Sequence, residues 1–410
     1  MSSSLEVKIN PAVLVWARKT ANYEIEEISH KMNLNSDRMK CWEKGKERPT
    51  YTQLLDLAEH YQRPAMLFFS PEVPKYESNM PDFRTLPNSN NKKISPEVSF
   101  ELRSAKARRE NLISLEELDD YEIPKFRLNT EINEENKNAK SLAEDIRKSL
   151  GVSWAKQTTL TSSDKALEFW ISKVESLGVL IFQFYSIEPK EMRGYAISHE
   201  KLPIIGINVK EHAHGKIFTL FHELAHIAIK KEGISNFSSF KLKDNVEIFC
   251  NQVAAEILVP ENFLLDTIIV KEIMPNVNLN EDHLQQLSRK FKVSPEVIIR
   301  RLISIDKLSN TFLKKEGINW NKYIANNYKR KTERHKPKNV KNKVKNKIET
   351  NKNPHVSKAL KRNGFYYTEL VLEAYNNDLI TSSDVSEYLG EKLQTIEEIR
   401  NRISKRGLEK

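Results

Sequence analysis

The chain has 410 residues, 39% hydrophobic and 30% charged, with 66 Lys and Arg against 56 Asp and Glu and a formal net charge of +10. That length is too great for one small core and fits two to four domains. No apolar run approaches the roughly 20 residues of a bilayer span, the opening MSSSLEVKIN lacks the basic-then-apolar order of a secretory signal, and Cys41 and Cys250 make neither a disulfide framework nor a C-x-x-C zinc site; these features predict a cytoplasmic protein.

Residues 1–75 read as short helices with tight joints. Pro11 opens the helix PAVLVWARKTANY, EIEEISHKM is a second, NLN a turn, and SDRMKCWEKG a third, started by Ser36 or Asp37 and stopped by Gly45. PTYTQLLDLAEHY and RPAMLFF complete an all-helical bundle. Helix, three-residue turn, helix inside such a bundle is the helix-turn-helix arrangement. A connecting segment, 76–125, follows, with MPDFRTL (Met80 to Leu86) extended and SPEVSFELRSAKARRENLISLEELDDY helical.

The span 126–310 changes character within itself. NEENKNAKSLAEDIRKSLGV is amphipathic, with Ala139, Leu142, Ala143 and Ile146 on one face, and SDKALEFWISKVESLG is a helix stopped by Gly178. The period then shifts to that of strands in VLIFQFYSI, RGYAISHE and LPIIGINV. Helices resume with FTLFHELAHIAI, then NVEIFCNQVAAEILV, stopped by Pro260, then ENFLLDTII and the pair DHLQQLSRKF and PEVIIRRLISI. The fold class is therefore mainly α with a small sheet, an α+β pattern. Residues 311–355 form a basic linker: between Lys329 and Lys352 eleven Lys and Arg stand against two Glu, nearly the whole charge excess. Its composition predicts a solvated, disordered segment with salt-sensitive affinity for nucleic acid as the sharper alternative. Residues 356–410 make a small C-terminal helical unit.

One helix poses a chemical problem. FTLFHELAHIAI is apolar almost throughout yet carries His222, Glu223 and His226, groups that are costly to bury unsatisfied. Two His four residues apart project from one helical face, and their imidazoles reach one zinc ion at about 2.0–2.1 Å each. Glu223 lies about 100° further round the helix. There it serves a water rather than the ion, as a general base that takes a proton during attack on a peptide carbonyl and passes it to the leaving amine. This is the H-E-x-x-H pattern of metalloproteases. A catalytic zinc takes three protein ligands and keeps one open position. Glu247 on the next strong helix is the favoured third ligand, because Asn251, four residues on, is placed to hold it by hydrogen bonding. Glu256, nine residues on and so about 180° round that helix from Glu247, and His199, His212 and His214 on loops are the rivals. No G-x-x-x-x-G-K-[ST] run supports nucleotide chemistry.

Two resemblances add to this reading. Trp42-Glu43-Lys44-Gly45, Arg48-Pro49-Thr50 and Leu54 through Ala58 resemble the XRE-type helix-turn-helix family over about residues 10–69. That resemblance implies DNA contacts from Ser36, Arg38 and Lys40. Against it, Glu24, Glu26 and Glu27 stand where the family touches phosphates. The stretches GVLIFQFYSI, RGYAISHEKLPIIGINV, GKIFTLFHELAHIAI and EIFCNQVAAEILVP resemble the ImmA/IrrE metallopeptidase family, with Cys250 and Val253 where it commonly has Ala and Phe. PDFRTL fits the segment that usually joins the two modules, and the C-terminal unit resembles one found in longer members. The resemblance implies His222, His226 and Glu247 as ligands of zinc or manganese and Glu223 as general base. It also implies a protein substrate, namely a helix-turn-helix repressor or antitoxin-type partner whose cleavage induces genes of mobile elements or stress responses. The competing reading is a DNA-binding regulator, or an antitoxin-like partner, whose peptidase fold serves mainly for contacts.

Overall fold

Pro11 occupies the first turn of the first helix, as the sequence leads one to expect, and the structure adds Asn10 as its cap, the side chain accepting the Ala12 N–H. The structure is a computed structural model that describes residues 5–74, 94–117, 121–128, 138–231, 240–273, 279–305 and 353–407. MPDFRTL and the basic run 329–352 lie outside the described residues. The described residues fall into two compact units, one within Met1–Asn111 and Phe184–Met192, the other within Leu112–Gln183 and Arg193–Lys410. They are mostly helical with one small sheet, and none of their helices is long and apolar enough to cross a membrane.

The first unit contains α1 (Pro11–Thr20), α2 (Ile25–Lys31), α3 (Ser36–Glu43) and α4 (Tyr51–Tyr61), then a 3-10 turn at Ala65–Phe69 where the sequence suggested a further helix. Val13, Leu14, Met39, Trp42, Leu54 and Leu57 meet in its core. Beneath them a buried pair, Arg18 Nε to Glu43 Oε1 at 2.6 Å, ties α1 to α3, and Arg18 also donates to the Tyr23 carbonyl. Helix α3 begins at Ser36, the first residue of the expected stretch, but its cap is Asn35 rather than Ser36 or Asp37. Asn35 caps it by accepting the Asp37 N–H, because a short amide side chain just outside the helix reaches the orphan donors that Ser36, already helical, cannot. The long helix α5 (Pro96–Ile113) follows, and Arg103 donates to the Tyr61 carbonyl.

In the second unit α6 (Ala139–Leu150), α7 (Trp154–Thr158) and α8 (Ser163–Glu175) precede the sheet. Strands β1 (Leu180–Phe184), β2 (Gly194–Ile197) and β3 (Ile204–Asn208) lie in the order β1-β3-β2, so β2 is an edge among the described residues. Strand β2 pairs antiparallel with β3, Gly194 opposite Ile207 and Ala196 opposite Ile205. Asn208 donates its N–H to the Arg193 carbonyl at 2.8 Å. Since hydrogen-bonded pairs alternate in such a ladder, the backbone groups of Tyr195 and Ile197 face β3 and those of Gly194 and Ala196 face the open edge.

One face of the sheet carries α9 (Ala213–Lys231), with α8 and α10 (Phe240–Leu258) around it in a shared core. Phe221 meets Trp170 of α8 edge-on, ring centres 4.9 Å apart. Then come α11 (Glu261–Leu265), α12 (Ile268–Ile273), α13 (Glu281–Phe291) and α14 (Pro295–Ser304). The C-terminal helices α15 (Pro354–Asn363), α16 (Phe365–Asn376), α17 (Ser382–Leu389) and α18 (Leu393–Gly407) belong to the same unit. Helix α15 starts inside the stretch read as linker: Asn353 caps it and Pro354 sits in its first turn, a start signal that the surrounding lysines obscured. Phe182 of β1, on the strand face opposite Ile181, meets Tyr367 of α16 edge-on at 5.9 Å. The buried carboxylate of Glu175 accepts the N–H groups of Phe365 and Tyr366 at 3.1 Å each, satisfying the start of α16. All five residues of β1 are buried because both of its faces are covered.

Candidate metal centre

Helix α9 is buried on most of its circumference, through Ile217, Leu220, Phe221, Leu224, Ala225 and Ala228. Two stripes of i, i+4 spacing interrupt this surface. His222 and His226 face α10, while Thr219 and Glu223 face β2. His222 and His226, partly buried polar groups that posed the problem, each meet a partner on α10.

His222 Nε2 and His226 Nε2 lie 3.1 Å apart, and the Glu247 carboxylate places one oxygen 3.2 Å from the first and the other 3.3 Å from the second. Among the described residues these three are the group whose ligand atoms converge, all within 4.8 Å. Tetrahedral zinc with bonds of about 2.0–2.1 Å holds its ligand atoms about 3.3 Å apart. Two imidazole nitrogens and a carboxylate oxygen converging at this spacing therefore fit a divalent ion. Without a cation or a proton between them, two nitrogen lone pairs at 3.1 Å would repel.

The charges follow the same geometry. Burial opposes protonation of His222, but the hydrogen bond to Glu247, followed by the charges of Glu223 and Glu247, outweighs it and raises the His222 pKa. Burial would likewise push the Glu247 carboxyl up, yet its hydrogen bonds with His222 and His226 hold it well below the usual carboxylate range. Cys250, one turn from Glu247, is the reverse case. Burial, then the charges of Glu247 and Glu223, keeps it a thiol, and it stands outside the converging group.

Asn251 lies in the site but holds a different partner from the one expected. Its Oδ1 lies 3.1 Å from His222 Nδ1, not against Glu247. An amide oxygen only accepts, so His222 carries its proton on Nδ1 and turns Nε2 toward the centre. Residues four apart on one helix sit a turn above one another, and here the upper one reaches across to α9.

Glu256, the rival ligand, is an anchor. Its carboxylate pairs with the Arg301 guanidinium on α14 and accepts the Glu261 N–H at 3.1 Å. Around it the last carbonyls of α10 are satisfied by three side chains: Arg147 on Ile257, Gln157 on Leu258 and Arg301 on Val259. Burial lowers the Arg147 and Arg301 pKa values to about 10, so both stay charged at neutral pH. This fixed end holds the helix that carries Glu247. His199, His212 and His214 are not part of the converging group.

Glu223 takes no place among the ligands. Its Oε1 approaches Gly194 at the head of β2, so closely that a Cβ there would lie 3.2 Å from it. Gly194 is the site residue that sequence reasoning missed; a glycine opening a strand in RGYAI was its signal. In the first unit, Arg38 is about half exposed, 3.6 Å from Glu47 and over the Trp42 ring, and Lys40 lies 3.5 Å from Asp37. Ser36 is partly exposed.

Residues 174–303, from the end of α8 through α14, match the family model described as Peptidase M78, IrrE N-terminal-like domain. This is a peptidase family, and the matched span contains every residue of the centre. No curated protein gives a significant match to the chain.

Proposed function

We propose that the chain is a zinc- or manganese-dependent regulatory endopeptidase whose substrate is a partner transcriptional repressor or antitoxin-type protein. The observation that carries this reading is the convergence of His222, His226 and Glu247, with Glu223 set apart from them beside the open strand edge. A divalent ion held by the three residues supplies Lewis acidity toward a peptide carbonyl and toward water. Glu223 takes the proton of the attacking water and delivers it to the leaving amine. The outward backbone groups of Gly194 and Ala196 suit an extended peptide, which adds as a strand to β2 and lies along the base. A substrate bound in this way is locally unfolded at the cleaved bond.

In the same reading the N-terminal bundle is a helix-turn-helix module that recruits the peptidase to a regulator or to its operator, with Ser36, Arg38 and Lys40 as the DNA contacts. The exposure of Arg38 and Lys40 on α3 also supports the competing reading, a DNA-binding regulator. That reading expects operator binding unaffected by His222→Ala. The peptidase reading is tested by comparing new protein N-termini in cells that express wild type or Glu223→Gln. Cleavage products of a helix-turn-helix regulator should appear with wild type alone. Identical termini in both would refute it.

A further inference from the structure

We infer that Gly194 is a positioning residue for Glu223: the missing side chain at the head of β2 sets how closely the general base stands to the strand edge. The inference rests on the peptidase reading above and adds the element that places its base.

Gly194 is not needed for its backbone angles, since it is absent from the residues of positive φ. It is needed for space. A Cβ at this position would collide with Thr219 Cγ2, lie 2.9 Å from the Gly206 carbonyl oxygen and stand 3.2 Å from Glu223 Oε1. The two nearer neighbours do not yield cheaply, whereas the Glu223 carboxylate, at the end of its side chain, is the one free to shift. Thr219 is buried and β-branched, so its rotamer is stiff. The Gly206 oxygen is backbone of the central strand. Thr219 and Glu223 are one turn apart on the face of α9 that presses on β2, so a side chain at 194 lifts that face and carries Glu223 with it. The His222 and His226 stripe looks toward α10, so the ligand set is placed by a different contact. Gly206 differs: a Cβ there would collide with the Tyr195 ring across the ladder, away from the base.

The test uses full-length chain loaded with zinc and acetohydroxamic acid as the probe, a small ligand that binds a metal and hydrogen-bonds to an adjacent carboxylate. Gly194→Ala should keep one zinc per chain and its helical circular dichroism, yet bind the probe more weakly, on the order of 10-fold, as Glu223→Gln should too. Adding Thr219→Ser, which deletes the colliding methyl, should restore part of the loss. Should Gly194→Ala fail to fold, the double variant Gly194→Ala with Thr219→Ser, in which the colliding methyl is gone, supplies the folded chain, and its probe affinity should still lie below wild type. Wild-type probe affinity in a folded variant with the gap closed, or loss of zinc together with the probe, overturns the inference. Zinc binding with a probe affinity that Glu223→Gln does not change overturns it as well. A wild-type chain that takes up no zinc refutes the metallopeptidase reading itself, and the positioning role with it.

Discussion

The imidazole of His222 is held between two helices: its Nδ1 lies 3.1 Å from Asn251 Oδ1 and its Nε2 lies 3.2 Å from Glu247 Oε2, both on α10. One residue orients the ring and the other completes the ligand set. Removing such an orienting partner typically costs a metal site 10–100-fold in affinity. Asn251→Ala should therefore weaken zinc binding by roughly 10–100-fold without unfolding the chain, as measured by competition with a chelating dye. Asn251→Asp, which keeps the acceptor, should retain more affinity than Asn251→Ala.

The metal-free centre should have a marked pH dependence. Glu247, lowered from its ordinary 4.5, contributes stability that is present above that value and lost as pH falls through its folded pKa. His222, raised from its ordinary 6.5, contributes stability that is complete below that value and lost as pH rises through its folded pKa. The pair thus supports the metal-free fold most fully between about 4.5 and 6.5. Zinc must displace the His222 proton, so its uptake near the raised pKa should release protons. Thermal unfolding of chelator-treated protein across pH, and calorimetry in buffers of differing ionisation enthalpy, measure the two effects. The mirror outcome, with the metal-free chain gaining stability above pH 7, would contradict them.

Glu256 and Glu247 share one helix and should fail differently. Glu256→Ala leaves Arg301 buried without its counter-charge, a loss on the order of 3–5 kcal/mol. Zinc stoichiometry in the fraction that remains folded should be unchanged. Glu247→Gln should lose zinc, and it should lower the denaturation midpoint of the metal-free form chiefly between about pH 4.5 and 6.5, where its pairing with His222 contributes.

The C-terminal helices should not be separable from the sheet. Phe182 and Tyr367 are both fully buried against one another, and Phe182→Ala should cost about 3–5 kcal/mol. Truncation before Asn353 uncovers that face of the sheet and should yield aggregated protein by size-exclusion chromatography. A monomeric truncated chain with an unchanged melting temperature would contradict this account.

The sequence carried the local facts and left the relations between distant elements open. Spacing on one helix is enough to set His222 and His226 on a common face and Glu223 off it, while helical angle says only that Glu247 and Glu256 cannot both face the ion, and the preference for Glu247 rests on Asn251. Asn251 was recognised as part of the site but assigned to Glu247, because periodicity orders residues along a helix without showing which neighbour the helix meets. The continuous apolar run of β1 signals burial on both faces, yet nothing in it says that the second face is covered by residues some 185 positions later. Gly194 has only a weak signal, a glycine opening a strand, because its role consists of what stands opposite it. Asn353 and Pro354 announce helix α15, but the basic run directly ahead of them masks that start signal.

The most direct test of the centre is the zinc content of purified chains after equilibrium dialysis. Wild type and Glu223→Gln should each hold one zinc per chain, while His226→Ala and Glu247→Ala should hold close to none. Full occupancy in the Glu247→Ala chain would mean that the ion is bound elsewhere, and the proposed arrangement of ligands and base would be wrong.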